Sequence, residues 1–211
     1  MARFLFVRHA AHDLLTKQVI AGRQPGVHLN NFGKKQADEI AQALAPLPIE
    51  GVHCSPLERA CETAAPLLER LKLPLQIAEE FNEIDFGDWT GQAFIDLDRL
   101  PQWQRWNAFR SSTIAPNGES MLEVQARGLR KIFDLNHKHR MVAIFSHGDV
   151  IRAMIAHFCG LHLDLFTRIE IAPASVSVVD VNRDGAKVVL VNGTAAAAEI
   201  SWLGRADTTE C

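Results

Sequence analysis

The sequence lacks any excess of basic charge, and this absence excludes the partners that basic proteins attract. The 211 residues carry a formal net charge of -3, and the sequence pI is about 6.3. Neither nucleic acid nor an anionic membrane surface is attracted in general by such a chain, so any anion site must be built locally. We therefore expect a small-molecule partner and no nucleic acid.

Long apolar runs and a cysteine framework are also missing. The first apolar run, 4–7, is far shorter than the core of a signal peptide, and no run approaches the length of a membrane span. We therefore expect a cytoplasmic protein with no membrane partner. The cysteines show neither a CxxC pair nor the spacing of a disulfide scaffold, so we interpret them as reduced packing residues. They are Cys54, Cys61, Cys159 and Cys211.

Strand-like and helix-like segments alternate along most of the chain. Strands are predicted at 2–8, 50–54, 75–78 and 141–146, and helices at 33–45, 56–71, 119–136 and 149–159. This alternation favours βα units and a mainly parallel sheet covered on both faces. The predicted fold class is α/β, a three-layer αβα sandwich.

The end of the chain and one internal stretch depart from this pattern. Residues 176–191 read as a hairpin with an Asp-Gly turn, which predicts an antiparallel pair at the edge of the sheet. Residues 81–118 are rich in Trp and Phe and too long for a simple connection, so we interpret them as a lid or accessory segment. We expect one domain spanning 1–211.

Arginine and histidine residues follow three of the predicted strands. Arg8 and His9 end the first strand, the segment 146–149 follows the strand at 141–146, and Arg59 comes shortly after the strand at 50–54. Residues 55–58 are interpreted as a capping box that places Arg59 in the first turn of a helix. Ligands of parallel α/β sheets bind beyond the carboxyl ends of the strands, so we expect these side chains to converge.

The expected pocket is strongly cationic and suits a phosphoryl group. Arg8 and Arg59 offer bidentate donors to the several oxygens of a tetrahedral dianion. His147 and Gly148 stand where the helix predicted at 149–159 opens, and free backbone N–H groups and the positive end of the helix dipole favour an anion there. A small phosphorylated substrate is therefore predicted.

Phosphoryl transfer would need a nucleophile and a proton donor. An unprotonated His9 could attack phosphorus, while His147 and the arginines stabilise the charge on the transferring oxygens. Glu83 is the candidate general acid, and Asp85 and Asp88 are secondary candidates. The remaining histidines lack the HxxxH and HExxH spacings of metal sites, so we expect neither a metal nor another cofactor.

With this set of residues, the chain resembles the histidine phosphatase superfamily, in its phosphoglycerate-mutase-like branch. The resemblance covers about residues 3–192 and rests on motifs that occur in order. They lie at 4–10, 21–26, 33–37, 55–64, 82–91, 117–120 and 146–148. The resemblance implies that His9 carries the phosphoryl group, that Glu83 acts as general acid and base, and that Arg8, Arg59 and His147 complete the phosphate pocket.

The chain also departs from the family pattern. Ala10 stands where the family usually has Gly, and His12 and Leu15 replace the Thr and Asn that commonly follow. Arg23 matches a position near the substrate in relatives, whereas His28 stands where mutases often carry Asp. We favour a metal-independent phosphomonoester hydrolase acting on a small phosphometabolite, because the segment 81–118 is modest for a closing cap and the tail is not conspicuously basic. The alternatives are a phosphoglycerate-type mutase and a non-catalytic phospho-ligand binder, and a homodimer is left open.

Overall fold

The strand β1 (Ala2–Arg8) divides the hydrophobic core into two halves, one on each face of the central sheet. Successive side chains of a strand point to opposite faces. Phe4 and Phe6 accordingly pack into one core, and Leu5 and Val7 pack into the other. The computed structural model describes residues 1–195, Ile200 and Leu203.

The sheet has six strands in the order β3-β2-β4-β1-β5-β6. The pairs β3-β2, β2-β4 and β4-β1 are parallel, and β5 runs antiparallel to β1 and to β6. This topology confirms the predicted mainly parallel sheet with an antiparallel hairpin at one edge. The strands after β1 are β2 (Gly51–Cys54), β3 (Leu75–Ile77), β4 (Met141–Ser146), β5 (Val176–Val181) and β6 (Ala186–Gly193).

Helices cover both faces of the sheet and complete the predicted three layers. The buried faces of α2 and α3 belong to the core around Leu5, and those of α6 and α7 belong to the core around Phe4. The helices are α1 (Asp13–Thr16), α2 (Asn31–Leu44), α3 (Glu58–Leu71), α4 (Phe94–Leu97), α5 (Pro101–Ala108), α6 (Met121–Asn136) and α7 (Gly148–Phe158). Short 3-10 helices occur at Glu79–Phe81, Gly87–Trp89 and Leu163–Arg168. Within the described part of the chain, no helix is long and apolar enough to cross a membrane.

The start of α3 differs from the sequence prediction. The capping box expected at 55–58 is wrong, because the helix begins at Glu58 after Leu57, which makes no side-chain cap. The Ser55 hydroxyl instead accepts the Leu57 N–H at 3.3 Å and contacts a ring nitrogen of His147 at 2.7 Å. Arg59 still lies in the first helical turn, as the site requires.

The segment 81–118 packs against the sheet through a cluster of aromatic rings. The ring centroids of Trp103 and Trp106 lie 5.2 Å apart, and Trp89 meets Trp103 edge-on at 5.1 Å. All three belong to the core around Phe4. The segment therefore continues that core, and its action as a lid, like the assignment of 1–211 to one domain, stays a prediction.

Candidate active site

The parallel pairing of β1 with β4 brings two histidines together at the carboxyl edge of the sheet. Arg8 is in register with Ser146, and the His9 N–H donates to the Ser146 carbonyl at 2.9 Å. The next residue on each strand is therefore a histidine at the same corner. The ring centroids of His9 and His147 lie 5.1 Å apart.

The His9 imidazole is oriented for attack through one defined nitrogen. Its Nδ1 lies 2.9 Å from the Ala10 carbonyl oxygen, which can only accept, so Nδ1 carries the proton and Nε2 keeps its lone pair. The residue is 3% exposed. Burial, together with the charges of Arg59 and Arg8, holds the pKa of His9 well below 6.5. The ring is thus neutral, as a nucleophile must be.

Arg8 and Arg59 present N–H groups that no described residue satisfies. Arg8 donates Nη1 to the Ile171 carbonyl at 2.6 Å, and Arg59 donates Nη2 to the Gly22 carbonyl at 2.7 Å. The Nε of each guanidinium, and Nη1 of Arg59, are buried without a partner. Burial lowers the pKa of both groups. Leaving buried donors unsatisfied is costly, so the pair is suited to receive the oxygens of an anion.

Gly148, at the start of α7, allows the Arg8 guanidinium to lie close to the helix. A Cβ atom at this position would come within 3.3 Å of the Arg8 Cζ and Nε atoms. The first N–H groups of a helix have no intrahelical acceptor, and the helix dipole is positive there. Gly148 therefore combines close approach with the anion-binding position predicted for it.

His147 is fully buried and connects three parts of the site. Its Nδ1 lies 3.3 Å from Arg59 Nη2, which must donate, and 3.6 Å from a carboxylate oxygen of Glu83. Its Nε2 therefore carries the proton and donates to the Ser55 hydroxyl. Burial and the charge of Arg59 hold the pKa of His147 well below 6.5. The ring is neutral and orients Arg59.

Glu83 has the environment of a general acid. Its side chain is 12% exposed, and burial together with Asp149 raises the pKa of Glu83 to about 7, against the opposing charge of Arg59. The secondary candidates are engaged elsewhere: Asp85 accepts the Gly87 N–H, and Asp88 accepts from Asn117. Neither lines the cavity described below, which favours Glu83.

Two arginines donate hydrogen bonds to the backbone carbonyl of Glu83. Arg23 Nε donates to the Glu83 carbonyl at 2.7 Å, and Arg127 Nη2 donates to the same oxygen at 3.2 Å. Glu119 lies between them and accepts from both guanidiniums. Arg23 is not among the residues that line the cavity, so its role in substrate binding stays a prediction.

A cavity of about 300 Å³ is lined by Arg8, His9, Arg59 and Glu83 and by further residues of the segment 81–118, but not by His147. Sequence reasoning missed Arg110, Asp149 and Arg152 as parts of its wall, although Asp149 lies in the motif that follows β4. The polar and glycine residues of the lining are Arg8, His9, His12, Gly22, Arg59, Glu83, Asn107, Arg110, Gly148, Asp149, Arg152 and Thr167. Within the described residues, no group of three or more His, Cys, Asp or Glu side chains is arranged to hold a metal ion.

The residues that depart from the family pattern take up distinct places. Ala10 is buried and donates its N–H to the Thr63 hydroxyl at 2.9 Å. His12 lies against His9 at 5.2 Å between ring centroids, and burial lowers the pKa of His12 to about 4. Leu15 lines the cavity, whereas the exposed His28 pairs with Glu62 outside it.

Comparison with known proteins gives a consistent picture. Residues 4–194 match the model of the histidine phosphatase superfamily (branch 1). The chain is 27% identical to the adenosylcobalamin/alpha-ribazole phosphatase of Escherichia coli, over 93% of this chain and 98% of that protein. It is 28% identical to phosphoserine phosphatase 1 of Hydrogenobacter thermophilus, over 85% and 86% of the two chains. A solved mycobacterial glucosyl-3-phosphoglycerate phosphatase is 25% identical, with a TM-score of 0.82 over 92% of this chain and 100% of that one.

Proposed function

Because the chain belongs to the histidine phosphatase superfamily (branch 1), we propose that it hydrolyses small phosphomonoesters through a phosphohistidine on His9. One observation carries the proposal: the neutral His9 ring, with Nε2 unprotonated, lies in the same cavity as the unpartnered N–H groups of Arg8 and Arg59. Glu83 in the same cavity supplies a proton near neutral pH. The three relatives described above are all named as phosphatases.

In the first step, the Nε2 lone pair of His9 attacks phosphorus and the ester P–O bond breaks. Arg8 and Arg59 donate to the oxygens that remain on phosphorus and stabilise their charge in the transition state. The departing alcohol oxygen takes the proton of Glu83. The products of this step are the free alcohol, a phosphohistidine and a Glu83 carboxylate.

In the second step, water replaces the histidine. The Glu83 carboxylate removes a proton from water while the water oxygen attacks phosphorus and the P–N bond breaks. Inorganic phosphate leaves, and His9 and Glu83 return to their starting protonation states. Neutral His147 would keep the Arg59 guanidinium in place by accepting its N–H throughout the cycle.

The decisive experiment measures phosphate release from p-nitrophenyl phosphate and a panel of phosphometabolites, in the presence of EDTA. We expect turnover by the wild type, its loss in His9→Ala with the circular-dichroism spectrum unchanged, and wild-type turnover in His28→Ala, an exposed histidine outside the cavity. An acid-labile phosphoenzyme should be trapped on His9. Isomerised product without phosphate release, phosphate binding without turnover, or an active His9→Ala protein would each contradict the proposal.

Location and assembly form a further part of the proposal. We propose that the protein acts in the cytoplasm, because Cys54 and Cys61 are unlinked with their Sγ atoms 3.9 Å apart, as expected in a reducing compartment. Cell fractionation tests this location, and light scattering after size-exclusion chromatography tests whether two copies of the chain form a homodimer.

A further inference from the structure

Much of the cavity wall beyond the phosphate-binding groups is apolar. Leu15, Val19 and Ile20 line it from the segment after β1, and Phe86, Phe94 and Trp103 line it from the segment 81–118. At about 300 Å³, the cavity is at the small end of ligand pockets. It therefore has room for a phosphoryl group and a compact alcohol, and the alcohol must lie against hydrocarbon.

The other charged groups of the cavity are one carboxylate and two arginines, and the carboxylate pairs with both. Asp149 accepts from Arg110 at 3.0 Å and from Arg152 at 2.9 Å. Arg110 also donates to Asn107, and Arg152 donates to the Ile169 carbonyl. The Nε of Arg110 is buried without a partner, and Nη2 of Arg152 lies 4.0 Å from the exposed carboxylate of Glu170. Arg110 also packs its guanidinium over the Trp106 ring at 3.3 Å.

Arg110, Asp149 and Arg152 together carry one net positive charge, so charge does not select against a carboxylate in the cavity. The apolar side chains, which form much of the wall, are the feature that selects the alcohol.

We infer that the alcohol part of the substrate is largely apolar, with a ring or branched hydrocarbon seated against Phe94 and Trp103. The inference rests on the proposed function and narrows its substrate class.

The test compares phosphate esters whose leaving groups are all alkoxides, so that differences in kcat/KM report recognition of the alcohol. The probes are 2-phenylethyl phosphate, glycerol 2-phosphate, O-phosphoserine and 3-phosphoglycerate. Full burial of a large apolar group is worth a factor of ten or more in binding. We expect kcat/KM for 2-phenylethyl phosphate to exceed that for each of the other three by about tenfold or more.

Two neighbouring residues provide a matched pair of variants. Phe94 lines the cavity and is 39% exposed, so its replacement should not unfold the protein, whereas Ile95 is 65% exposed and does not line the cavity. We expect Phe94→Ser to lower the kcat/KM ratio of 2-phenylethyl phosphate to glycerol 2-phosphate about three- to tenfold. Ile95→Ser should leave that ratio within about twofold of the wild type.

The outcomes separate this inference from the proposed function. Hydrolysis that favours O-phosphoserine, 3-phosphoglycerate or glycerol 2-phosphate, or a ratio unchanged by Phe94→Ser, would overturn the substrate class and leave the phosphatase activity standing. A folded wild type that releases phosphate neither from these esters nor from p-nitrophenyl phosphate would overturn both.

Discussion

The pKa of Glu83 is set by effects of opposite sign. Burial and Asp149 raise the pKa of Glu83, and Arg59 and Arg8 lower it, with a resulting value of about 7. A carboxyl group with this pKa is protonated often enough to give a proton to a leaving alcohol and ionised often enough to take one from water. The two half-reactions therefore use the same residue in opposite directions.

Replacing Glu83 by Gln should harm reactions in proportion to the proton that the leaving group needs. General acid–base catalysis contributes roughly 10²- to 10⁴-fold. We expect Glu83→Gln to lower kcat/KM on an alkyl phosphate by about that factor, and to spare much of the activity on p-nitrophenyl phosphate, whose phenolate leaves unaided. Single-turnover kinetics on both substrates measures the step that forms the phosphoenzyme.

The matched control is Asp88→Asn, because Asp88 is exposed and bonded to Asn117 outside the cavity. It should retain the wild-type selectivity between the two substrates. Equal losses on both substrates in Glu83→Gln, with phosphoenzyme formation limiting, would move the acid role to Asp85 or Asp88.

The pH profile of kcat/KM on an alkyl phosphate should fall on its alkaline side. The reactive form needs protonated Glu83, and above its pKa of about 7 that form declines about tenfold per pH unit. His9 gives no opposing limb there, because its pKa lies well below 6.5 and the ring is already neutral. Initial rates from about pH 5.5 to 9 check this, and an identical alkaline limb in Glu83→Gln would assign the titration to another group.

At the scale of elements, helix α6 fixes the loop that carries Glu83. Arg127, on α6, donates to the backbone carbonyls of Glu80, Asn82 and Glu83 and to the side chain of Glu119. One planar guanidinium thus holds the loop at several points. A lysine has the same charge but cannot make this fork of contacts.

Arg127→Lys should therefore act on catalysis through the placement of Glu83. A displacement of about 1 Å at a reacting group can cost on the order of 100-fold in rate. We expect kcat on an alkyl phosphate to fall about 10- to 100-fold with little change in KM, a smaller loss on p-nitrophenyl phosphate, and a displaced alkaline pKa in the pH profile. Steady-state kinetics on both substrates across pH measures all three quantities.

Arg130→Lys is the control for Arg127→Lys, since Arg130 is an exposed residue of the same helix. It should reproduce the wild-type kinetics. If Arg127→Lys lowered thermal stability but left the alkaline pKa and the selectivity between substrates unchanged, Arg127 would be a structural residue only.

Local patterns predicted the elements well because each pattern reflects which side chains are buried. The strand expected at 2–8 is Ala2–Arg8, and the one expected at 141–146 is Met141–Ser146. The pattern failed at 55–58, where the local sequence fits a capping box. The Ser55 hydroxyl instead contacts His147, a residue that lies 92 positions away. A partner at that distance cannot be inferred from local spacing.

At the scale of the molecule, the same limit explains which parts of the site were predicted. Arg8, His9 and His147 are predictable because strand ends meet at one edge of a parallel sheet. The pKa of Glu83 and the pairing of Arg110 with Asp149 depend on how the segment 81–118 packs against α7. That packing is set by tertiary contacts of aromatic side chains and has no signature in local spacing.

The stability of the whole molecule should depend on histidines buried in the neutral state. The pKa values of His9 and His147 lie well below 6.5, and those of His12 and His53 are lowered to about 4. Below pH 6.5 the unfolded chain binds protons at these positions and the native chain does not, so stability falls as the pH falls. Glu83 contributes in the opposite direction. Its pKa is raised to about 7 in the native chain, so the unfolded chain releases this proton first as the pH rises, and the contribution of Glu83 to stability then decreases.

His53 offers a test of this dependence away from the active site. It lies on β2, is 3% exposed, and neither ring nitrogen has a hydrogen-bond partner among the described residues. Between about pH 6.5 and 4 it should contribute up to one proton, or about 1.4 kcal/mol per pH unit, to the slope of the free energy of unfolding. We therefore expect His53→Leu to reduce that slope by about this amount, without loss of stability at pH 7, because it removes two unpaired polar atoms.

Urea denaturation at intervals from about pH 4.5 to 7.5 measures the slope. His28→Asn is the control of opposite sign: the hydrogen bond to Glu62 raises the pKa of His28, so the native chain takes up that proton before the unfolded chain does. Removing His28 should change the pH slope of the free energy of unfolding above pH 6.5 and leave it unchanged below pH 6.5. If His53→Leu left the slope between about pH 5 and 6 unchanged, His53 would be charged in the native protein, and the acid sensitivity would belong to the histidines of the active site alone.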